Sequence, residues 1–201
     1  VVGNGALSSG ATNSNMEVFG YQAGYYANSA YSTFVGSIAG YGVAGGTSTG
    51  QYNVGVGRSA LGAFTSGERN TAVGVASLGN NSSGGYNTGI GMYALANNTT
   101  AGYATAVGYG ALYNNTTGNY NIALGYQAAY NNTTDSTIIA IGASALFSNT
   151  TGGGGSYNLA IGYQSHYYGT TNAYYNVAIG AYAHYGSSGG TTATFNVAIG
   201  N

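Results

Sequence analysis

The sequence predicts an all-β fold, a parallel β-solenoid (β-roll) of about twelve coils, and three observations support this prediction. Twelve glycines, each preceded by an apolar residue, recur along the chain, and the step between them from Gly57 to Gly142 is 17 residues five times running. Bulky and small residues alternate with period two just before these glycines, which is typical of a strand and fits no helical spacing. The 201 residues include 38 Gly and 22 Tyr but no Pro and no Cys, so neither a helical nor a disulfide-built domain is expected.

We call the recurring glycines the anchor glycines: Gly3, Gly20, Gly36, Gly57, Gly74, Gly91, Gly108, Gly125, Gly142, Gly162, Gly180 and Gly200. A repeat of this length indicates units that bury their apolar faces only against their neighbours. Residues 1–201 are therefore predicted to form a single array without helices. Within it we expect irregular coils over 1–56, regular 17-residue coils over 57–142 and coils with longer loops over 143–201.

The residues before each anchor predict the strand, and we number positions from the anchor as zero. Position −1 is apolar in every repeat and is interpreted as the core row: Val2, Phe19, Val35, Val56, Val73, Ile90, Val107, Leu124, Ile141, Ile161, Ile179 and Ile199. Position −2 is mostly Ala, and position −3 is bulky in the cleanest units. Since both faces are apolar or small, we expect each strand to be covered on both sides, and one cover must come from outside its own coil.

A second short strand is predicted after the anchor, where position +3 is Ala or Ser and position +4 is often Leu. Two strands of about five residues leave room for two turns in a 17-residue coil. Coils stacked about 4.8 Å apart would give a rod roughly 55 Å long. The anchor itself is interpreted as a corner, where a positive φ or a close backbone approach excludes a Cβ.

Stacked coils also predict ladders of identical side chains along the rod, which stabilise cross-β structures. Tyrosines recur at position −5 and near position +5, and asparagines recur at position −4. The members at −5 are Tyr52, Tyr86, Tyr103, Tyr120, Tyr157 and Tyr175, those near +5 are Tyr113, Tyr130, Tyr167 and Tyr185, and the asparagines are Asn53, Asn70, Asn87, Asn121, Asn158, Asn176 and Asn196.

One block of each unit resembles repeats of known fibrous families. The segments NVAIGAYA from Asn176, NLAIGYQS from Asn158 and NIALGYQA from Asn121 resemble the head repeats of trimeric autotransporter adhesins. The GYQA and NNTTG segments are also similar to the shaft repeats of long phage tail fibres. This resemblance implies a left-handed parallel β-roll in which three chains pack together, and hence a homotrimer.

Composition excludes several function classes. Five residues carry formal charge and the net charge is −1, so the phosphate contacts that nucleic-acid binding needs are missing. The apolar stretch from Ile138 to Phe147 is too short to span a bilayer, and no membrane insertion of this segment is expected. The 44% of apolar residues are periodic, which argues for a folded chain and against disorder.

No enzyme activity, cofactor or metal is predicted. Glycoside cleavage commonly uses a pair of carboxylates, but Glu17, Glu68 and Asp135 fall on distant coils. Three acids also cannot supply repeated calcium sites. His166 and His184 both fall at position +4 of successive coils, where a two-His metal site is one interpretation. We favour the interpretation that they are two ladder residues where other coils place Leu.

The NNTT loops are the most regular surface feature of the sequence. Turn chemistry explains them best, because Asn tolerates a left-handed backbone and both Asn and Thr cap backbone groups. Two alternatives stay open: N-glycosylation at N-x-S/T sequons, or a flat row of Thr that orders water or sugar. Glycans would explain how a chain with 2% charged residues stays in solution. The candidate acceptors are Asn81, Asn98, Asn115, Asn132 and Asn149.

The function expected from the sequence is structural. We predict an extracellular fibre, filament or adhesin segment, on a cell or virion surface, whose partners are copies of itself in a homotrimer or a head-to-tail filament, with glycans on its surface. The alternative is an ice- or carbohydrate-binding solenoid that uses the Thr and Tyr ladders. Substitution of Thr99, Thr116 and Thr133 would distinguish the two, because a structural shaft would not respond.

Overall fold

The computed structural model describes residues 2–7, 15–44, 48–149, 157–168, 174–186 and 195–200. In these residues the chain forms one sheet of eleven parallel strands wound as a β-solenoid, and none of them is helical. The strands are β1 Glu17–Phe19, β2 Thr33–Val35, β3 Val54–Val56, β4 Thr71–Val73, β5 Thr88–Ile90, β6 Thr105–Val107, β7 Ile122–Leu124, β8 Ile139–Ile141, β9 Leu159–Ile161, β10 Val177–Ile179 and β11 Val197–Ile199. The predicted fold class is confirmed.

The strands pair in sequence order and in register, so equivalent residues of successive coils lie over one another. Thr71 pairs with Thr88, and Ile90 pairs with Val107, each 17 residues further along the chain. The longer loops leave the register unchanged: Ile139 pairs with Leu159, although 20 residues separate them. Before β1, Val2 forms an isolated parallel bridge with Phe19. Each coil therefore contains one strand, which ends just before its anchor glycine.

The prediction that position −1 is the core row is wrong. In ten of the eleven strands the middle residue, position −2, is buried, whereas the first and third residues are half-buried or exposed. Ala106 is fully buried, while Val107 beside it is 37% exposed. Alternation of large and small residues along a strand shows that its two sides differ, but it does not show which side points into the core. Here the small residue faces inward, because it lies opposite the bulky Leu of position +4 in a thin core.

The predicted second strand is also wrong, because the segment after each anchor is a series of turns. In the coil of Gly91, the residues Tyr93 and Leu95 have φ values of 62° and 52°, in the left-handed region. Ala94 and Leu95 are both fully buried, and two consecutive residues of a strand cannot both face inward. Alternating the sign of φ lets the Ala of position +3 and the Leu of position +4 both face the core.

These turns are still joined to their neighbours by hydrogen bonds. The amide of Tyr93 donates to Val75 O in the preceding coil at 2.9 Å, and that of Leu95 donates to Ala111 O in the following coil at 3.0 Å. The amide of Ala94 donates to Gly91 O of its own coil at 3.2 Å. Backbone groups at alternate positions thus find partners between coils and within a coil, so the buried backbone is satisfied without a second sheet.

The irregular coils at the start of the array keep the core filled by exchanging large and small residues. Most coils place Ala at position −2 and Leu at +4, as in Ala106 and Leu112. The coil of Gly36 reverses this, with Phe34 at −2 and Gly40 at +4, and a Cβ on Gly40 would lie 2.3 Å from the Phe34 ring. Close packing at constant volume explains the exchange.

Candidate functional site

The outward side chains of the sheet form the largest regular surface of the array, which we call the outer face. It comprises positions −3 and −1 of every strand, together with the tyrosine column at −5 and the row at +1. Ile90 is 40% exposed and Ile122 is 37% exposed, and the flanking Tyr120 and Tyr126 are 59% and 54% exposed. Within one chain nothing in the described residues covers this face.

Residue choice along the outer face is graded. In β2 and in β4 to β6 the residue at position −3 is Thr, whereas from β7 to β11 it is Ile, Leu or Val. The second half of the array therefore has two aliphatic residues per strand on this face. On this face the sequence interpretation placed position −1 in the core and described position −3 only as bulky in the cleanest units. The exchange of Thr with Val and Ile at position −3 is a signal of a half-exposed row.

The tyrosine column at position −5 is confirmed as stacked rings, interrupted by Thr137 between Tyr120 and Tyr157. Neighbouring rings, such as Tyr86 with Tyr103 and Tyr103 with Tyr120, lie 5.0 Å apart with their planes 9° and 11° from parallel. A second stack at position +5 joins Tyr113, Tyr130 and Phe147. Because each ring face is covered by the next ring, the columns present ring edges and hydroxyl groups to solvent. Stacking of sugar rings on aromatic faces is therefore blocked along both columns.

Arg69 takes the place of a tyrosine in the −5 column. Its guanidinium carbon lies 5.2 Å from the ring centroids of both Tyr52 and Tyr86. One guanidinium nitrogen donates to Glu68 Oε1 at 2.6 Å and to Tyr86 Oη at 2.7 Å. A planar cation fits between aromatic rings, so Arg69 continues the ladder in the coil that lacks the tyrosine.

The five candidate glycosylation residues form a buried ladder at position +7. Asn98 Nδ2 donates to Asn81 Oδ1 at 2.7 Å and to Ala101 O at 3.0 Å, and Asn98 Oδ1 accepts from Asn115 Nδ2 at 3.1 Å. Asn81, Asn98, Asn115, Asn132 and Asn149 are all fully buried. A glycan is attached at Nδ2, so glycosylation at these residues is incompatible with the folded coil. Their role is to close the turn and to connect coils.

A second ladder on the surface was missed by sequence analysis. The first Asn of each Asn-Asn pair bonds to its equivalent in the next coil, with Nδ2 to Oδ1 distances of 3.0 Å from Asn80 to Asn97 and 3.2 Å from Asn97 to Asn114. Each of these residues also begins an N-x-S/T sequon. The pair repeat was the signal, because the first Asn recurs with the same 17-residue spacing as the second.

The Thr rows of the NNTT loops are partly engaged with the backbone. Thr99 Oγ1 donates to Thr116 O at 3.0 Å, and Thr116 Oγ1 donates to Thr133 O at 2.9 Å. Their hydroxyl hydrogens therefore point along the rod and not outward. This geometry satisfies buried carbonyls and leaves no row of free donors for ice or sugar at these positions.

The two histidines stack as predicted, with ring centroids 4.5 Å apart. They lie at the position that Leu146 occupies one coil earlier, and His166 is fully buried. Among the residues that the structure describes, no group of three or more His, Cys, Asp or Glu is placed to hold a metal ion. In the same residues no helix is long and apolar enough to cross a membrane.

Comparisons with known proteins leave the function to be argued from this geometry. No protein-family model matches the chain, and no match was found among the curated proteins or the solved structures.

Proposed function

We propose that this chain is a structural segment of an extracellular fibre or adhesin, in which copies of the chain pack side by side through their outer faces. The observation that carries the proposal is the uncovered outer face, which mixes polar and apolar residues from β1 to β6 and is largely apolar from β7 to β11. Parallel sheets are almost always covered on both sides, and here the turns of each coil cover only the inner side. A second copy of the same chain would supply the other cover.

The size of the outer face fits such packing. Four rows of side chains about 7 Å apart span about 20 Å, and eleven strands about 4.8 Å apart span about 48 Å. The product, which is the area of the whole outer face with its polar residues included, is on the order of 1,000 Å². It is comparable with the roughly 800 Å² that each partner buries in a standard interface.

The remaining features favour a structural role over a chemical one. Successive coils present the same side chains in the same register. A group of side chains that occurs only once, as a chemical site requires, is therefore rare. The resemblance to adhesin heads and tail-fibre shafts supports a homotrimer at a cell or virion surface. A head-to-tail filament is the alternative assembly. Ice or carbohydrate recognition is the weaker function, because the stacked tyrosine faces and the hydroxyls of Thr99 and Thr116 are engaged within the array.

The test is the mass of the native chain in solution, measured by light scattering after size-exclusion chromatography. We expect an oligomer, and we expect the double variant Ile90→Glu with Ile122→Glu to be monomeric with unchanged β-sheet circular dichroism. Each carboxylate would have to be desolvated in the interface. The matched control is Thr100→Glu with Thr117→Glu, two exposed residues of the NNTT loops, which should leave the oligomer intact. A native chain that stays monomeric at every concentration would contradict the proposal.

A further inference from the structure

The stacked histidines are the chemically most unusual group in the core. Position +4 carries Leu61, Leu78, Leu95, Leu112 and Leu146 in other coils, all of them fully buried. In the coils that follow β9 and β10 the same position carries His166 and His184, whose rings lie 4.5 Å apart with planes 28° from parallel. Two imidazoles therefore replace two leucines in an apolar row.

His166 is fully buried and His184 is half-buried, and three of their four ring nitrogens are buried without a hydrogen bond to the described residues. Nδ1 and Nε2 of His166 and Nδ1 of His184 are buried and have no hydrogen-bond partner in the described part of the chain. A buried polar atom without a partner lowers stability, so leucine would stabilise this row better at neutral pH. What histidine adds is the ability to bind a proton near physiological pH.

No acidic side chain that could pair with an added positive charge follows Asp135 in the sequence. Asp135 is the last charged residue of the sequence, and its Oδ2 accepts a hydrogen bond from Asn149 in the asparagine ladder, away from the +4 row. The core rows of these coils are Leu146, Ala160 and Ala178, and Ser165 Oγ donates to Ala178 O. The titratable side chains of the two coils besides the pair itself are tyrosines: Tyr163, Tyr167, Tyr168, Tyr174, Tyr175, Tyr182 and Tyr185.

We propose that His166, buried and stacked on His184, is an acid-sensitive latch, which holds the coils of β9 to β11 closed while its imidazole is neutral and opens them when acid protonates it. An imidazolium at His166 would be a buried charge without an acidic partner, packed against the ring of His184. Since coils contact only their neighbours, the coils of β9 to β11 are able to open while β3 to β7 stay paired. The latch belongs to the single chain and does not depend on association between copies.

The direction of the pH dependence follows from the pKa of His166. Burial, and next the neighbouring His184, lower this pKa from 6.5 to about 4. The opened segment therefore binds a proton below pH 6.5 that the closed segment binds only near pH 4. Closure is fully stable above pH 6.5 and weakens as the pH falls from 6.5 to 4. At pH 4.5 the equilibrium constant for opening should be on the order of 80-fold larger than at neutral pH from His166 alone.

Amide hydrogen exchange of the full chain tests the latch, with the native sequence compared with His166→Leu/His184→Leu, which restores the residue of the other coils. At pH 4.5 we expect exchange in β9 and β10 to be tens of times slower in the variant than in the native chain. At pH 7.5 the ratio of the native exchange rate to the variant exchange rate should be at least tenfold smaller than at pH 4.5. Strands β4 to β6 provide the internal control and should exchange equally in both proteins at each pH. A ratio of native to variant exchange in β9 and β10 that is the same at the two pH values would overturn the proposal.

A second measurement keeps the proposal falsifiable if the double variant does not fold. The imidazole resonances of the native chain should show that His166 remains neutral down to about pH 4 to 5 and that it protonates together with the loss of the β10 signals. A His166 that titrates near pH 6.5 with β10 still folded would show that the pair accommodates a proton, and no latch would exist.

Discussion

At the scale of single residues, the anchor glycines decide how closely the coils stack. Gly108 has a φ of 129°, and a Cβ placed on it would lie 2.4 Å from Gly125 O in the next coil. Both the backbone conformation and the close approach require glycine. The prediction of a corner at this position is confirmed, and the reason is the contact between two backbones.

We therefore expect Gly108→Ala to destabilise the array by more than about 2 kcal/mol, because it adds strain at a positive φ to a clash with backbone that cannot move alone. Urea unfolding followed by circular dichroism measures the change. The matched control is Gly79→Ala, whose φ is not positive and whose equivalent in the next coil is Ala96. It should be neutral or slightly stabilising, and equal losses in the two variants would refute this account of the anchor.

Residue size also explains where the repeat departs from its own consensus. Positions −2 and +4 face each other in the core, so Val18 with Gly24 and Phe34 with Gly40 fill the space that Ala and Leu fill elsewhere. The exchange can be seen in the sequence. That it keeps the total side-chain volume constant is recognised only when positions −2 and +4 are known to be in contact.

At the scale of the coil, buried inner ladders of asparagine side chains join each coil to the next by hydrogen bonds. At position −4, Asn70 Oδ1 accepts from the amide of Asn87 at 2.9 Å, and Asn70 Nδ2 donates to Gly84 O at 2.9 Å. The ladder at position +7 lies beside it, since Asn81 Nδ2 donates to the same Gly84 O at 2.8 Å. Their side chains bond to neighbouring coils and close the loops, which is the role that turn chemistry predicted from the sequence.

Asn97 belongs to the surface ladder and its neighbour Asn98 belongs to the inner ladder. The same substitution at these two asparagines therefore compares the two ladders. We expect Asn98→Ala to cost about 3 kcal/mol, because Asn81 Oδ1, Ala101 O and Asn115 Nδ2 would each lose a buried partner. Asn97→Ala, its control, should cost less than about 1 kcal/mol, since water replaces the lost partners at the surface. Denaturant unfolding of both variants checks this difference, and a cost for Asn97→Ala as large as that for Asn98→Ala would contradict the assignment of the inner ladder.

At the scale of the whole molecule, equivalent coils make the array approximately additive. Each strand contacts only the strands before and after it, so stability is expected to be a sum of coil terms and neighbour terms. The length of the rod is then set by the number of coils and changes by whole coils, which suits a structural segment.

Deletion of residues 92–108, one complete coil, should preserve the fold and the cooperative thermal transition. It should shorten the rod by about 4.8 Å in small-angle scattering, because Gly91 would be followed by the equivalent continuation at Tyr109. Deletion of residues 92–100 is the control: it removes only nine residues, breaks the register and should reduce the β-sheet signal. A similar loss of structure in both deletions would argue against equivalent coils.

The sequence by itself determined the parallel sheet, its register, the site of close backbone contact and the tyrosine and asparagine ladders. All of these follow from period, because residues one coil apart must meet when coils stack. The tertiary structure alone decided which strand face is inside, since alternation distinguishes two faces but does not orient them. It also showed that Ala94 and Leu95 enter the core from a turn with alternating φ, and that Asn98 is enclosed where its sequon suggested exposure. Those outcomes depend on how much volume the opposite side of the coil leaves free, a quantity that exists only once the chain has closed on itself.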